Sequence, residues 1–218
     1  MWSMYKAGTQ LKLLHHFITD VYKTFYPRDE AHVQCWQVHV PDIALEHTFL
    51  LDSLLAISAL HLAHRETGAK KSWLQTALRY QDLTLAGLNK VLSSINPENC
   101  EAVALCSILV LTLSIAIPGI CNDPDDEASR SPIADLPGLR KLVQGMEIIC
   151  AQSEVVLRNG VLKNFFLPMF DPKTVTPRPV VQGVEELVFL PTAHYLCSRQ
   201  CKEEKWLTVQ QSRVFERL

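Results

Sequence analysis

Residues 46–66 read EHTFLLDSLLAISALHLAHRE, and this run decides the fold. Phe49, Leu50, Leu51, Leu54, Leu55, Ala56, Ile57, Ala59, Leu60, Leu62 and Ala63 make its middle apolar at nearly every position. Leu and Ala favour helix, and neither Gly nor Pro interrupts them. A helix that is apolar all round, rather than along one stripe, has to be covered on several sides. The run therefore predicts a central helix with other helices packed around it. Among its few polar groups are Ser53, Ser58, His61 and His64, and each needs a hydrogen-bond partner if buried.

A second run of the same character lies downstream. Asn96-Pro97-Glu98 is a start signal: a capping Asn, a Pro at the first helical position, and acids (Glu98, Glu101) in the first turn. Ala102 to Ile120 then carries no charged residue, and Pro118-Gly119 is expected to end that helix early. The length would suit a bilayer. Cys106, Ser107, Thr112 and Ser114 within it, and acidic flanks without a basic anchor, favour a second buried core helix over a membrane span.

Amphipathic segments supply the cover. Thr9 is read as the cap of a first helix with Leu14, Phe17, Ile18, Val21, Tyr22 and Phe25 on its inner side, ended by Tyr26-Pro27. A short helical turn from Asp42 to Leu45 leads into the central element. Another helix runs from about Lys71 to Ser93, with Leu74, Ala77, Leu78, Gln81, Leu85, Leu88 and Leu92 facing inward. After an acidic, Pro- and Ser-rich loop at 121–137, Leu139, Leu142, Val143, Met146 and Ile149 share a face. Val155, Val156, Leu162, Phe165 and Phe166 form a further apolar set, weakened at Asn159-Gly160. With no strand alternation of any length, the fold class is all-α: an irregular multi-helix bundle around two buried apolar helices. Residues 1–180 form one helical domain, and 181–218 a C-terminal extension.

The 218 residues are 48% hydrophobic and 20% charged, a globular composition, with net charge −2. No basic field would draw the chain to nucleic acid or to an anionic membrane. The seven cysteines are odd in number and scattered, which suits reduced, buried thiols in an intracellular protein.

Searches for chemistry give structural readings. There is no Gly-rich phosphate loop, Gly-x-Ser-x-Gly elbow, His-Glu-x-x-His pair or zinc knuckle, so no catalytic residue, cofactor or metal site is assigned. Asp123, Asp125, Asp126 and Glu127 resemble an aspartate-rich magnesium motif, but Pro124 interrupts them and no second motif follows. His15 and His16 point in different directions and suit no single metal. His194, Cys197 and Cys201 would come from one helix face and lack a fourth ligand.

Four segments carry a family resemblance: LKLLHHFITDVYKTF (11–25), VPDIALEHTFLLDSLLAISALHLA (40–63), INPENCEAVALCSILVLTLSIAIP (95–118) and LPGLRKLVQGMEII (136–149). In order and spacing they resemble the regulatory domain of fungal zinc-cluster transcription factors, in the subgroup similar to sterol uptake control proteins. The resemblance covers about residues 9–170. It implies an all-helical regulatory module of the nucleus or cytoplasm, serving a metabolic or secondary-metabolite pathway. Its partners would be another protein or a second copy of itself, and a sterol-like apolar molecule. His61 and His64, neighbours on one helix, and Ser107 are the candidate ligand-binding residues, each able to meet a hydroxyl. Two other classes stay open: a helical enzyme acting on an isoprenoid-like substrate, and a degenerate protein-interaction module.

The family's six-cysteine zinc cluster and basic linker are not found in these residues. The purified chain alone should therefore bind duplex DNA weakly and without sequence preference at physiological salt. Gel-shift titration checks this, and nanomolar, sequence-selective binding would contradict it.

Overall fold

The computed structural model describes residues 2–25, 30–121, 136–163 and 165–166, excluding the side chains of residues 2–6, 121 and 136–139. Every regular element among the described residues is helical: α1 (Trp2–Thr19), α2 (Glu30–Gln34), α3 (Val40–Glu46), α4 (Thr48–Arg65), α5 (Lys70–Val91), α6 (Cys100–Cys121), α7 (Leu136–Gln152) and α8 (Glu154–Asn159). A 3-10 turn at Val21–Phe25 follows α1, and a π-helical turn at Cys35–His39 joins α2 to α3. This is an all-α bundle, as the sequence predicts. The proposed boundary at residue 180 lies outside the described residues.

α4 is the hub, packed by α5, α6, α1 and α3. From Ser53 to Ala63 every one of its residues is buried. α6 is almost as enclosed, with Ala102 to Cys106, Ile108, Leu109, Leu111 and Leu113 at most 1% exposed. It is long and apolar enough to cross a bilayer, yet 72% of its apolar window is buried inside the protein, as a core helix requires.

Five hydroxyls on these two helices find partners one turn back on their own backbones. Ser53 donates to Leu50 O (2.6 Å), Ser58 to Leu54 O (2.7 Å), Ser107 to Val103 O (2.8 Å), Thr112 to Ile108 O (2.9 Å) and Ser114 to Val110 O (2.8 Å). An apolar environment can therefore surround them without an orphaned hydroxyl.

The start signal before α6 is built as a reciprocal cap. Asn96 Oδ1 accepts from the backbone amides of Glu98 (2.9 Å) and Asn99 (3.1 Å), while Asn99 Oδ1 accepts from the Asn96 amide (2.9 Å). An Asn thus fills the return role that Glu or Gln has in a capping box.

Several boundaries differ from expectation. Thr9 is not a cap: α1 begins at Trp2 and carries Thr9 inside it, because nothing upstream stops the helix. α1 also ends at Thr19, where the hydroxyl bonds the His15 carbonyl (2.9 Å), and the chain reaches Phe25 as a tighter turn. The helical turn expected at Asp42–Leu45 is part of a longer run. Pro41 has no amide to donate, and just before it the ladder shifts register, Val40 N–H reaching Cys35 O. α4 starts at Thr48, since His47 is extended. Pro118 does not end α6, which runs to Cys121 and keeps Ile120 only 5% exposed.

Some inner faces also differ from expectation. Ala77, Tyr80, Gln81, Thr84 and Leu88 form the buried face of α5, while Leu78 (40%) and Leu92 (39%) are exposed. Leu78 follows Ala77 by about 100° around the helix, so both cannot sit at the centre of one face. Val155 is 77% exposed, and Gly160 ends α8 ahead of the buried Leu162, Phe165 and Phe166.

α4 and α5 approach closely at Gly87. A Cβ there would lie 2.7 Å from Phe49 Cβ and 3.4 Å from its Cα. By helix propensity alone Gly87→Ala would stabilise α5 by about 1 kcal/mol. Overpacking against α4 should reverse the sign and leave the variant about 1–3 kcal/mol less stable, measured by urea denaturation. Leu54→Asp or Leu109→Asp, each at a fully buried position, should prevent folding outright, whereas Lys71→Ala on the surface should leave the circular dichroism and melting temperature unchanged.

Candidate functional site

The most polar point of the core is where α1 crosses α4. His16 Nε2 lies 2.8 Å from His61 Nδ1, with ring centroids 5.0 Å apart. His61 is 8% exposed and the His16 side chain 12%. On its outer side His16 Nδ1 faces Asp20 Oδ2 at 3.4 Å. The sequence places these groups deliberately: His16 falls one turn from both the buried Leu13 and from Asp20, and His61 sits on the all-buried stretch of α4.

A carboxylate on Nδ1 holds that proton in place, so the neutral His16 ring presents an Nε2 lone pair to the Nδ1–H of His61. Burial lowers the His61 pKa to about 4, helped by His16 and Arg65 and opposed by Asp20. Burial likewise lowers His16, with Asp20 pulling it back up and Arg65 pushing it down. The rim is polar: Trp73 Nε1 donates to Glu66 Oε2 (2.7 Å), and Lys12 Nζ sits 4.8 Å above the Trp73 ring.

The three candidate ligand residues do not form one cluster of mutual bonds. His61 is turned to His16, His64 is exposed at the end of α4, and Ser107 donates to its own helix at Val103. Sequence reasoning treated His16 as structural and did not pair it with His61. The available signal was its spacing to Leu13 and Phe17, which puts it at the core-facing edge of α1; His15 points to solvent.

A second polar feature stands at the start of α6. Burial raises the Glu101 pKa, against the Leu162 backbone amide and His39, and Oε1 is buried without a hydrogen-bond partner among the described residues. The cysteines Cys35, Cys100, Cys106 and Cys150 are free and buried, and burial pushes the Cys35 and Cys150 thiols up to about 12. Such thiols are poor nucleophiles. Among the described residues no group of three or more His, Cys, Asp or Glu could hold a metal ion. The acidic cluster at Asp123–Glu127 and the His194, Cys197, Cys201 set lie outside the described residues.

The fungal specific transcription factor domain matches residues 12–127, just over half of the chain. The chain belongs to that family. The match runs from within α1 through the end of α6, so it contains both buried helices and the histidine pair. Among its relatives, Sterol uptake control protein 2 of Saccharomyces cerevisiae is 29% identical over 106 residues, 49% of this chain and 11% of that protein. A Zn(2)-C6 fungal-type transcription factor of Gibberella zeae is 28% identical over 151 residues, 66% of this chain and 30% of that protein. Sterol uptake control protein 2 of Candida albicans is 29% identical over 106 residues, 49% of this chain and 14% of that protein. The aligned part of the chain thus spans less than a third of each of these relatives.

Within this domain the histidine pair couples protons to folding. Both imidazoles are harder to protonate folded than unfolded, so the unfolded chain takes up more protons below the ordinary His pKa of about 6.5. Stability is therefore full above that pH and declines as the pH falls towards about 4, the folded value for His61. The shift at His61 corresponds to a loss on the order of 3 kcal/mol. Urea midpoints across this window should fall with pH, and His61→Gln, which does not titrate, should flatten the decline.

Proposed function

We propose that this chain is the regulatory domain of a fungal zinc-cluster-type transcription regulator, non-catalytic, and acting in the nucleus through protein contacts, including a second copy of itself. The observation that carries this reading is the family match over residues 12–127, which coincides with the helical core from α1 to α6. A bundle whose hub is enclosed on all sides suits a domain that transmits a state. DNA recognition would come from a zinc cluster supplied by a longer chain or a partner.

A finer reading is a sterol-like ligand of the α4–α6 region. Two relatives are named Sterol uptake control protein 2, and two all-apolar helices offer the kind of lining that small apolar molecules use. His61, His64 and Ser107 are the proposed hydroxyl partners. Ser107 would accept a ligand hydroxyl while still donating to Val103, since its oxygen keeps lone pairs.

Fused to an unrelated DNA-binding domain, the chain should change reporter transcription in yeast, and the Leu109→Asp fusion should not. A reporter level equal to that of the DNA-binding domain alone would refute the regulatory reading. For the ligand, a sterol at about 100 times its dissociation constant should stabilise the folded chain by about 2.7 kcal/mol, read as a thermal shift. No shift and no saturable binding in a folded, lipid-free preparation would leave a module acting through protein contacts alone.

A further inference from the structure

We propose that the His16–His61 contact is a proton-operated latch that holds α1 against α4 and releases it when both imidazoles are charged. The geometry sets how many protons the contact tolerates. With none added, His61 Nδ1–H donates to His16 Nε2 across 2.8 Å, and His16 Nδ1–H faces Asp20 at 3.4 Å. One added proton fits: it takes His61 Nε2 as the His61 Nδ1 proton passes across the bond to His16 Nε2, which then donates to His61 Nδ1. That state places a single imidazolium between the Asp20 carboxylate and a neutral ring. A second proton does not fit. Each facing nitrogen would then carry hydrogen, neither could accept, and two cations would stand with nitrogens 2.8 Å apart in a mostly buried site.

The charged groups acting on the pair reinforce this asymmetry. Lys12 from α1, and His64 and Arg65 from α4, oppose further positive charge, while Asp20 and Glu66 favour it. Asp20 remains ionised through mildly acidic pH, because the Thr19 hydroxyl, His16 and Lys23 more than offset the effect of burial on it. It therefore stabilises the first proton, on the ring it touches, and has less hold over the second.

Two other polar ties of this region do not titrate in this window. Gln10 bonds the Tyr80 side chain on α5, and Gln37 Nε2 donates to Ile18 O at 3.0 Å. Lys12 over the Trp73 ring and the fully buried Leu13 and Phe17 add to this hold. Loss of the histidine bond frees the middle of α1 and uncovers the part of α4 beneath it, while α6 has no share in the contact. The latch is thus a local device, and it predicts local opening.

The test is hydrogen exchange on the full chain at pH 7.5 and pH 5.0, corrected for intrinsic exchange rates, with peptides from α1 and α6 compared. Protection of α1 residues 11–19 should drop at least tenfold at the lower pH, with α6 residues 103–113 holding theirs. In the double variant H16Q/H61Q, whose amides can bond but not titrate, the α1 drop should vanish. Equal loss in α1 and α6, no loss in α1, or an undiminished loss in the double variant would each overturn the proposal. A histidine titration by NMR on the unmodified protein covers the case in which the variant fails to fold. Two coupled transitions, with one well below the ordinary histidine range, support the latch; independent titration of both rings near 6.5 refutes it.

Discussion

The fold depends on enclosing α4 on every side. From Ser53 to Ala63 no position of that helix is left for solvent, so no single partner can bury it. α5, α6, α1 and α3 each take a sector, and the bundle is irregular because the sectors are filled by helices of unequal length. The close approach at Gly87 follows from the same demand: the longest contact, with α5, tightens until backbone meets Phe49. α6 then closes the core because it too lacks a polar side, and these two apolar helices cover each other.

That much was legible in the sequence because apolar periodicity reports the number of faces a helix must bury. The runs at 46–66 and 102–120 have no polar stripe, and both came out as core helices. Asn96-Pro97 announced the start of α6, although Asn96 caps a turn at 97–99 and the helix itself begins three residues after Pro97, at Cys100. Boundaries set by competition between local bonds were harder to see. Thr9 has a capping side chain but no reason to stop the residues before it, and His47 breaks the chain between α3 and α4 without any turn signature. The π-helical turn before Pro41 lies next to a missing donor, and it holds Trp36, which is 1% exposed and stacked on Phe25 at 4.1 Å, a tertiary contact that sequence spacing does not report.

The candidate site was legible only in part, for a physical reason. His61 drew attention because a polar group on an all-apolar helix needs a partner, and that argument held. What sequence spacing cannot supply is the identity of a partner 45 residues away. Neighbours on one helix, such as His61 and His64, are visible from spacing alone, so the local pair was preferred over the tertiary one. Ser107 shows the other side of the same point: its hydroxyl donates to its own backbone at Val103, so its burial alone calls for no partner on another helix.

The His16–His61 bond also supplies something the apolar contacts around it cannot. Leu13 and Phe17 would stay buried if α1 slid or rotated slightly on α4, because hydrophobic burial has little directional preference. A hydrogen bond of 2.8 Å between two ring nitrogens is lost by a shift of about an ångström, and an unpaired imidazole in that position would carry its desolvation without compensation. The bond therefore selects one register of α1 among several that apolar packing alone would permit. Specifying a register with a titratable pair, instead of an amide or hydroxyl pair, makes the selection conditional on protonation. A first helix with one fixed position in one protonation state, and several in another, is a two-state element whose balance a proton can bias.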